Sequence, residues 1–163
     1  MPLAIHLLIH FTLAVLSGYL IGRFFDKEKI GLIFGVLGGF LIDLDHVLEY
    51  FLVFGLNFNL QHFIESRQFL VSDQIRLYFH AWEYLPILLV IAYIFRKKRN
   101  IKIALITLAF AGTIHLISDV FINNYYFKYY SIYYRASLKY ADSDLLPSGI
   151  YDINQEYKIE LGL

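Results

Sequence analysis

Four long apolar segments dominate this sequence, and each is interrupted by a few ionisable residues. They run over about Leu3–Phe24, Ile30–Leu56, Tyr78–Phe95 and Ile101–Ile122. Each has roughly the length that a helix needs to cross the hydrocarbon core of a membrane, which is about 20 residues. Only 17% of the chain is charged and 58% is hydrophobic, whereas soluble domains are about 25% charged and about 45–50% apolar. The sequence therefore predicts an all-α, polytopic membrane four-helix bundle.

The last part of the chain differs in composition from these segments. We expect residues 1–123 to form a four-helix transmembrane domain and residues 124–163 to form an interfacial or extracytoplasmic tail. The tail begins with a tyrosine-rich stretch, and tyrosine prefers the membrane–water interface. An interfacial anchor is the interpretation that we favour for this stretch, with a substrate lip over the polar residues as the functional alternative. From residue 141 onward the polar sequence predicts short strands or coil.

The basic residues predict how the segments are oriented. Lysine and arginine are concentrated in the turns 23–29 and 96–102, whereas residues 57–77 contain only Arg67 and Arg76. The positive-inside rule then places both turns in the cytoplasm and both termini outside. Measured from the cytoplasmic end of each segment at about 1.5 Å per residue, the ionisable residues come out roughly 20–28 Å deep. We therefore expect them to form one layer toward the outer side of the membrane.

Most of these ionisable residues come in pairs with helical spacing. The pairs are His6 with His10, Asp43 with His46, His80 with Glu83, and His115 with Asp119. Residues three or four apart lie on one face of a helix, so both members of a pair can point inward. Asp45 is two residues from Asp43, so either the helix is distorted there or Asp45 plays a supporting role. No lysine or arginine lies in this layer, so its carboxylates require a proton, a protonated histidine or a metal ion.

A divalent metal is the cation that this residue set favours. Imidazole and carboxylate ligands together suit zinc, with manganese and iron as alternatives, and the chain has no cysteine to supply a thiolate. A tetrahedral zinc uses about four ligands, whereas the layer offers up to nine, which suggests one or two ions. The candidate metal ligands are His6, His10, Asp43, His46, His80, His115 and Asp119. Glu83 and Asp45 are the candidate catalytic residues.

Short motifs in these segments resemble those of a known family. They are His6 in the first segment, Ile42-Asp43-Leu44-Asp45-His46 in the second, and the pair His115 and Asp119 in the fourth. Their order resembles that of the membrane-bound metal-dependent hydrolases, also called LexA-binding inner-membrane hydrolases, over about residues 1–123. More distantly, the arrangement is similar to zinc-dependent phospholipase C. The chain departs from the family at Ile42, where members have proline, and at residues 79–83, which stand in place of a central H-R-x-x-H-S motif.

The resemblance implies a metal-dependent hydrolase in the cytoplasmic membrane of a bacterium or archaeon. We expect it to hydrolyse a lipid-linked ester or phosphodiester through a metal-bound water, with Glu83 as a ligand or general base. Its partner would be a membrane lipid or lipid-linked substrate. The net charge of zero gives no reason to expect nucleic acid.

Two other functions are compatible with these residues. Intramembrane acids and histidines also mark the paths of proton or metal-ion transporters. Such a path extends along the membrane normal, but the cytoplasmic halves of the four segments carry no ionisable residue apart from Arg23 and Lys102 at their ends. The second alternative is a non-catalytic membrane protein with a structural metal site.

Overall fold

The computed structural model describes residues 3–163, so the first two residues of the predicted transmembrane domain lie outside the described part. The described chain is all-helical, and it contains no β-strand. Its helices are α1 (Leu3–Phe24), α2 (Glu28–Leu41), α3 (Leu44–Phe54), α4 (Leu60–Ile64), α5 (Arg67–Ser72), α6 (Tyr84–Ile94), α7 (Arg99–Asn123), α8 (Ile132–Ser137), α9 (Asp142–Leu145) and α10 (Ser148–Glu160). A short 3-10 helix, Phe127–Tyr130, precedes α8.

Three helical stretches are long and apolar enough to cross a membrane. They are Ile5–Phe24, Glu28–Phe54 and Arg99–Asn123, of which the second comprises α2 and α3. Large apolar side chains such as Leu8, Leu20 and Phe121 are exposed on these helices. Hydrocarbon, unlike water, solvates such a surface without cost. The prediction of an all-helical chain with helices able to span a membrane is therefore confirmed.

A bundle of four spanning helices is not confirmed, because the third apolar segment is helical only in part. Its helix α6 has 11 residues, or roughly 16 Å at about 1.5 Å per residue. Residues 78–83, which we expected to begin this helix, form turns instead. The backbone N–H of Trp82 donates to the carbonyl of Tyr130 at 2.9 Å. This part of the segment is therefore held by the C-terminal region and not by helical hydrogen bonds.

Glycines bring α1 and α2 into backbone contact. Gly18 and Gly22 of α1 face Gly31 and Gly35 of α2 so closely that a Cβ on any of them would collide with backbone atoms of the other helix or of the turn that joins them. Helix α7 packs against α1, α2 and α6. His10 of α1 and Asp43, which follows α2, are thereby brought to the same face of α7.

The second apolar segment breaks immediately before its acidic motif. Helix α2 ends at Leu41 and α3 begins at Leu44. The N–H groups of Asp45 and His46 donate to carbonyls only three residues earlier, at 3.3 and 3.2 Å, as in a tighter turn than an α-helix. Because the turn changes the angle between successive residues, Asp43 and Asp45 both face the cluster despite being two residues apart.

The C-terminal region is helical and packs over one end of the long helices. We expected strands or coil after residue 141, but α10 forms there with its half-buried residues recurring at helical spacing, for example Tyr151, Asn154 and Lys158. That spacing is typical of an amphipathic helix. Tyr157 of α10 lines the same cavity as Asp119 of α7. Residues 124–163 therefore lie against the ionisable residues at this end of α7.

Candidate metal centre

Four histidines surround the carboxylate of Asp119 near the C-terminal end of α7. Its Oδ1 lies 3.1 Å from Nε2 of His10 and 3.7 Å from Nε2 of His6, both from α1. Its Oδ2 lies 3.2 Å from Nε2 of His115 and 3.4 Å from Nε2 of His80. Asp119 is almost fully buried, at 3% exposure. Each oxygen of this carboxylate thus faces its own pair of imidazoles.

Asp43 and His46 extend the cluster from the turn between α2 and α3. Oδ1 of Asp43 lies 3.4 Å from Nε2 of His115 and 3.6 Å from Nε2 of His80. The ring of His46 is 5.2 Å from that of His80, measured between centroids. Three sets of ligand atoms lie close enough to hold an ion: His6, His10 and Asp119; His80, His115 and Asp119; and Asp43, His46 and His80. The structure thereby brings together all seven predicted metal ligands.

Asp45 contacts His80 from the side opposite these carboxylates. Its Oδ1 lies 3.0 Å from Nδ1 of His80, and its Oδ2 accepts the backbone N–H groups of Phe79 and His80 at 2.8 and 3.2 Å. A carboxylate on one imidazole nitrogen fixes the tautomer that leaves the other nitrogen free for a metal. Asp45 therefore orients His80, and its own oxygens are already occupied.

His80 is held in the turn before α6 and not on a helix. Burial of the ring lowers the pKa of His80, but its contacts with Asp119 and Asp45 outweigh this and raise the pKa to about 10. The two carboxylates therefore favour the protonated form of His80 when no metal is bound.

The hydrogen bonds within the cluster are incomplete, which is the observation that tests whether a metal fits. Nε2 of His10, both ring nitrogens of His115 and Oδ2 of Asp43 are buried without a hydrogen-bond partner among the described residues. Nε2 of His10 and Nε2 of His115 lie within 3.4 Å of carboxylate oxygens, but not along the directions that hydrogen bonds require. Buried polar atoms are rarely left without a hydrogen bond. Histidine nitrogens and carboxylate oxygens that point toward one another without hydrogen bonds are arranged as the ligands of a metal ion are. The buried histidine and aspartate cluster could therefore hold a metal ion.

A cavity of about 360 Å³ opens beside the cluster. His6, His46, His80 and Asp119 form its inner wall. The opposite wall comes from the C-terminal region and includes Tyr125, Tyr129, Tyr130, Arg135 and Tyr157. Part of the tyrosine-rich stretch thus lies over the cluster, as in the lip interpretation, while Tyr126 and Tyr133 are exposed.

Glu83, a predicted catalytic residue, is not brought into the cluster. Its carboxylate accepts the hydroxyl of Ser131 at 2.5 Å and the backbone N–H groups of Ile132 and Tyr133 at 3.3 Å each. Burial raises the pKa of Glu83, but these hydrogen bonds outweigh it and leave the pKa below its usual value. Glu83 therefore caps the start of α8.

Arg135 of α8 is a residue that the sequence did not single out. It is only 2% exposed, and its guanidinium donates to the carbonyls of Leu77, His80 and Tyr129 at 2.7–2.9 Å. It thus holds the turn that carries His80 against the C-terminal region. In the sequence, Arg135 stands out only because it lies within an aromatic stretch. Helical spacing relates only residues that are close in the chain, so it could not connect Arg135 with Leu77 or His80, more than 50 positions away.

The fold and the cluster define a class: an all-helical protein with helices able to span a membrane and a buried site that could bind a metal ion. Comparison of the chain with protein-family models, curated proteins and solved structures finds no match. The resemblance to the membrane-bound hydrolases therefore rests on the short motifs alone.

Proposed function

We propose that this chain is a membrane-embedded metal-dependent hydrolase that acts on a lipid-linked ester or phosphodiester. The observation that carries the proposal is the set of unpaired ring nitrogens of His10 and His115 in a buried cluster that adjoins a cavity. A purely structural metal site is closed, whereas a catalytic site keeps access for water and substrate. The cavity therefore favours the catalytic alternative.

The arrangement around Asp119 favours two ions, most simply zinc. Its Oδ1 faces His6 and His10, and its Oδ2 faces His80 and His115. These two ligand sets would therefore hold two ions, with Asp119 common to both sets. Asp43 and His46 complete the set on the side of His80.

Divalent ions held there would supply Lewis acidity, which lowers the pKa of water and polarises a phosphoryl or carbonyl oxygen. The protein's own residues would do the rest. Asp45 holds the Nδ1 side of His80, so that Nε2 points into the cluster. Arg135 keeps the turn that carries His80 in place, and the tyrosines form the wall of the cavity opposite the cluster. His46 lines the cavity, on the side from which a reacting water could approach.

The transporter alternative has less support. A path for ions requires polar groups along the membrane normal, but the ionisable residues of the long helices lie only at their two ends. On the opposite side of the cluster, α2 and α7 contribute only glycine, alanine and other apolar residues over 32–42 and 103–112, apart from Thr107. Its hydroxyl donates to the carbonyl of Ile103.

Metal content tests the proposal directly. We would purify the protein in detergent and measure bound metals by mass spectrometry, together with a His115→Ala/Asp119→Ala double variant. The matched control, His62→Ala/Asp152→Ala, makes the same chemical changes outside the cluster. We expect one or two equivalents of zinc or manganese in the wild type and the control, and none in His115→Ala/Asp119→Ala. The wild type and the control should also release headgroup or acyl chain from lipid substrates, and the His115→Ala/Asp119→Ala variant should not. A folded wild type that takes up no metal from supplemented buffer would refute the proposal.

A further inference from the structure

An apolar groove lies between α2, α6 and α7, on the side of the cluster away from the tyrosine-lined cavity. It encloses about 320 Å³, which is within the range of about 300–1,000 Å³ for small-molecule sites. Its lining includes Gly38, Ile42, Leu85, Leu88, Leu108 and Gly112. Of its hydroxyl groups, that of Thr113 is already used, because it donates to the carbonyl of Ala109 at 2.7 Å. The groove therefore suits hydrocarbon.

The groove and the cluster lie along a single face of α7. Leu108, Gly112, His115 and Asp119 are spaced by four, three and four residues, so they form one stripe on the helix. The first two line the groove and the last two belong to the cluster. From Leu108 to His115 the stripe extends roughly 10 Å at about 1.5 Å per residue. A molecule that follows this face would have an apolar end and a polar end.

The turn before α6 separates the groove from the cavity. Phe79 and Ala81 line the groove, whereas His80 between them lines the cavity. The cluster is therefore the point where the two spaces approach each other. Arg135 is among the residues that line the cavity, and it has no carboxylate within ion-pair distance among the described residues. Its guanidinium donates to three carbonyls, but its Nε is buried without a hydrogen-bond partner among the described residues. A buried cation with a free donor and no counter-ion suits a phosphate group.

Gly112 leaves space in the groove and is not needed for close contact between two helices. A Cβ on Gly112 would contact only the end of the Ile42 side chain, at 3.2 Å. By contrast, a Cβ on Gly35 would collide with the backbone of α1. The missing side chain at Gly112 therefore leaves space in the groove and does not bring two backbones together.

We propose that the groove holds one acyl chain of a phospholipid whose headgroup lies in the cavity and whose scissile bond lies at the cluster. This inference rests on the proposed function for the bond that is cleaved, but the groove can be tested without activity. Replacement of Gly112 by leucine fills the groove from α7, and Leu88→Trp fills it from α6. Gly149→Leu is the matched control, because a Cβ there meets nothing within 4 Å and Gly149 lines neither space.

The test is photocrosslinking with a phospholipid that carries a diazirine midway along one acyl chain, mapped by mass spectrometry on the purified protein. We expect the wild type and Gly149→Leu to be labelled at groove residues such as Leu108, and both groove variants to lose this label. Labelling at the exposed residue Val90 serves as the internal control for ordinary lipid contact and should not change. Unchanged metal content shows that the variants are folded.

The possible failures can be told apart. Groove labelling that persists in both folded variants would overturn the inference and leave the hydrolase proposal standing. Labelling that is lost as expected, in a wild type that binds metal but hydrolyses no lipid, would support the groove and refute the proposed function. If both proposals hold, Gly112→Leu should shift hydrolysis toward phospholipids with shorter acyl chains, whereas Gly149→Leu should keep the wild-type preference.

Discussion

Substitution of Gly35 by alanine should separate α1 from α2. A Cβ on Gly35 would lie 2.7 Å from the carbonyl oxygen of Ala14 and from the backbone nitrogen of Gly18. Both distances are about 0.7 Å short of the 3.4 Å at which ordinary van der Waals contact begins. Backbone atoms cannot rotate away as a side chain can, so the helices themselves must move apart.

The expected cost combines two opposing effects. Inserting a methyl group into a well-packed interface costs about 1–3 kcal/mol, and here the group meets backbone, which favours the upper end. Alanine stabilises a helix interior relative to glycine by about 0.8–1.0 kcal/mol. We therefore expect Gly35→Ala to lower the free energy of unfolding by a net of about 1–2 kcal/mol. The same change at Gly149, which has open space around it, should raise that free energy by about 0.5–1 kcal/mol.

Thermal unfolding in detergent, followed by circular dichroism, measures both variants on the same scale. We expect the two melting temperatures to move in opposite directions from the wild type. Because His10 on α1 lies 3.1 Å from Asp119 on α7, separation of α1 should also weaken metal retention in Gly35→Ala alone. A Gly35→Ala protein that melts at or above the wild-type temperature would show that the two helices are not in backbone contact.

Three further substitutions test the surroundings of the cluster. Asp45→Asn removes the charge that orients His80 and should weaken metal affinity about 10–100-fold. Isothermal titration calorimetry with zinc measures this affinity. An affinity equal to that of the wild type would contradict the orienting role of Asp45. Glu83→Gln should leave metal content unchanged but lower the melting temperature at neutral pH. The pKa of Glu83 is lower in the folded protein than in the unfolded chain. The ionised carboxylate therefore stabilises the folded protein at pH values above the unfolded-state pKa, and this contribution is lost as the pH falls through the folded-state pKa. The melting temperatures of the wild type and Glu83→Gln should therefore become equal in acid. Arg135→Met leaves three buried carbonyls without donors, at about 1–3 kcal/mol for each unsatisfied group, and should speed amide hydrogen exchange around His80; protection equal to that of the wild type would exclude the holding role.

The sequence by itself determined the features that depend on residues close together in the chain. Long apolar segments predicted helices able to cross a membrane, and spacings of three or four placed His6 with His10 and His115 with Asp119 on common faces. Both predictions use helical geometry, which is the same in every protein. The absence of cysteine and of basic residues in the layer likewise restricted the cluster to imidazoles and carboxylates.

Only the tertiary structure decided which polar groups meet. The turn at Ile42 lets both Asp43 and Asp45 reach His80, at opposite nitrogens of its ring, which regular helical spacing does not allow. His80 reaches the cluster from a turn, and Glu83, its predicted partner, caps a helix instead. These outcomes depend on hydrogen bonds between residues about 50 positions apart, such as those of Arg135. Such bonds form only after the long helices have packed, so no pattern within a single segment records them.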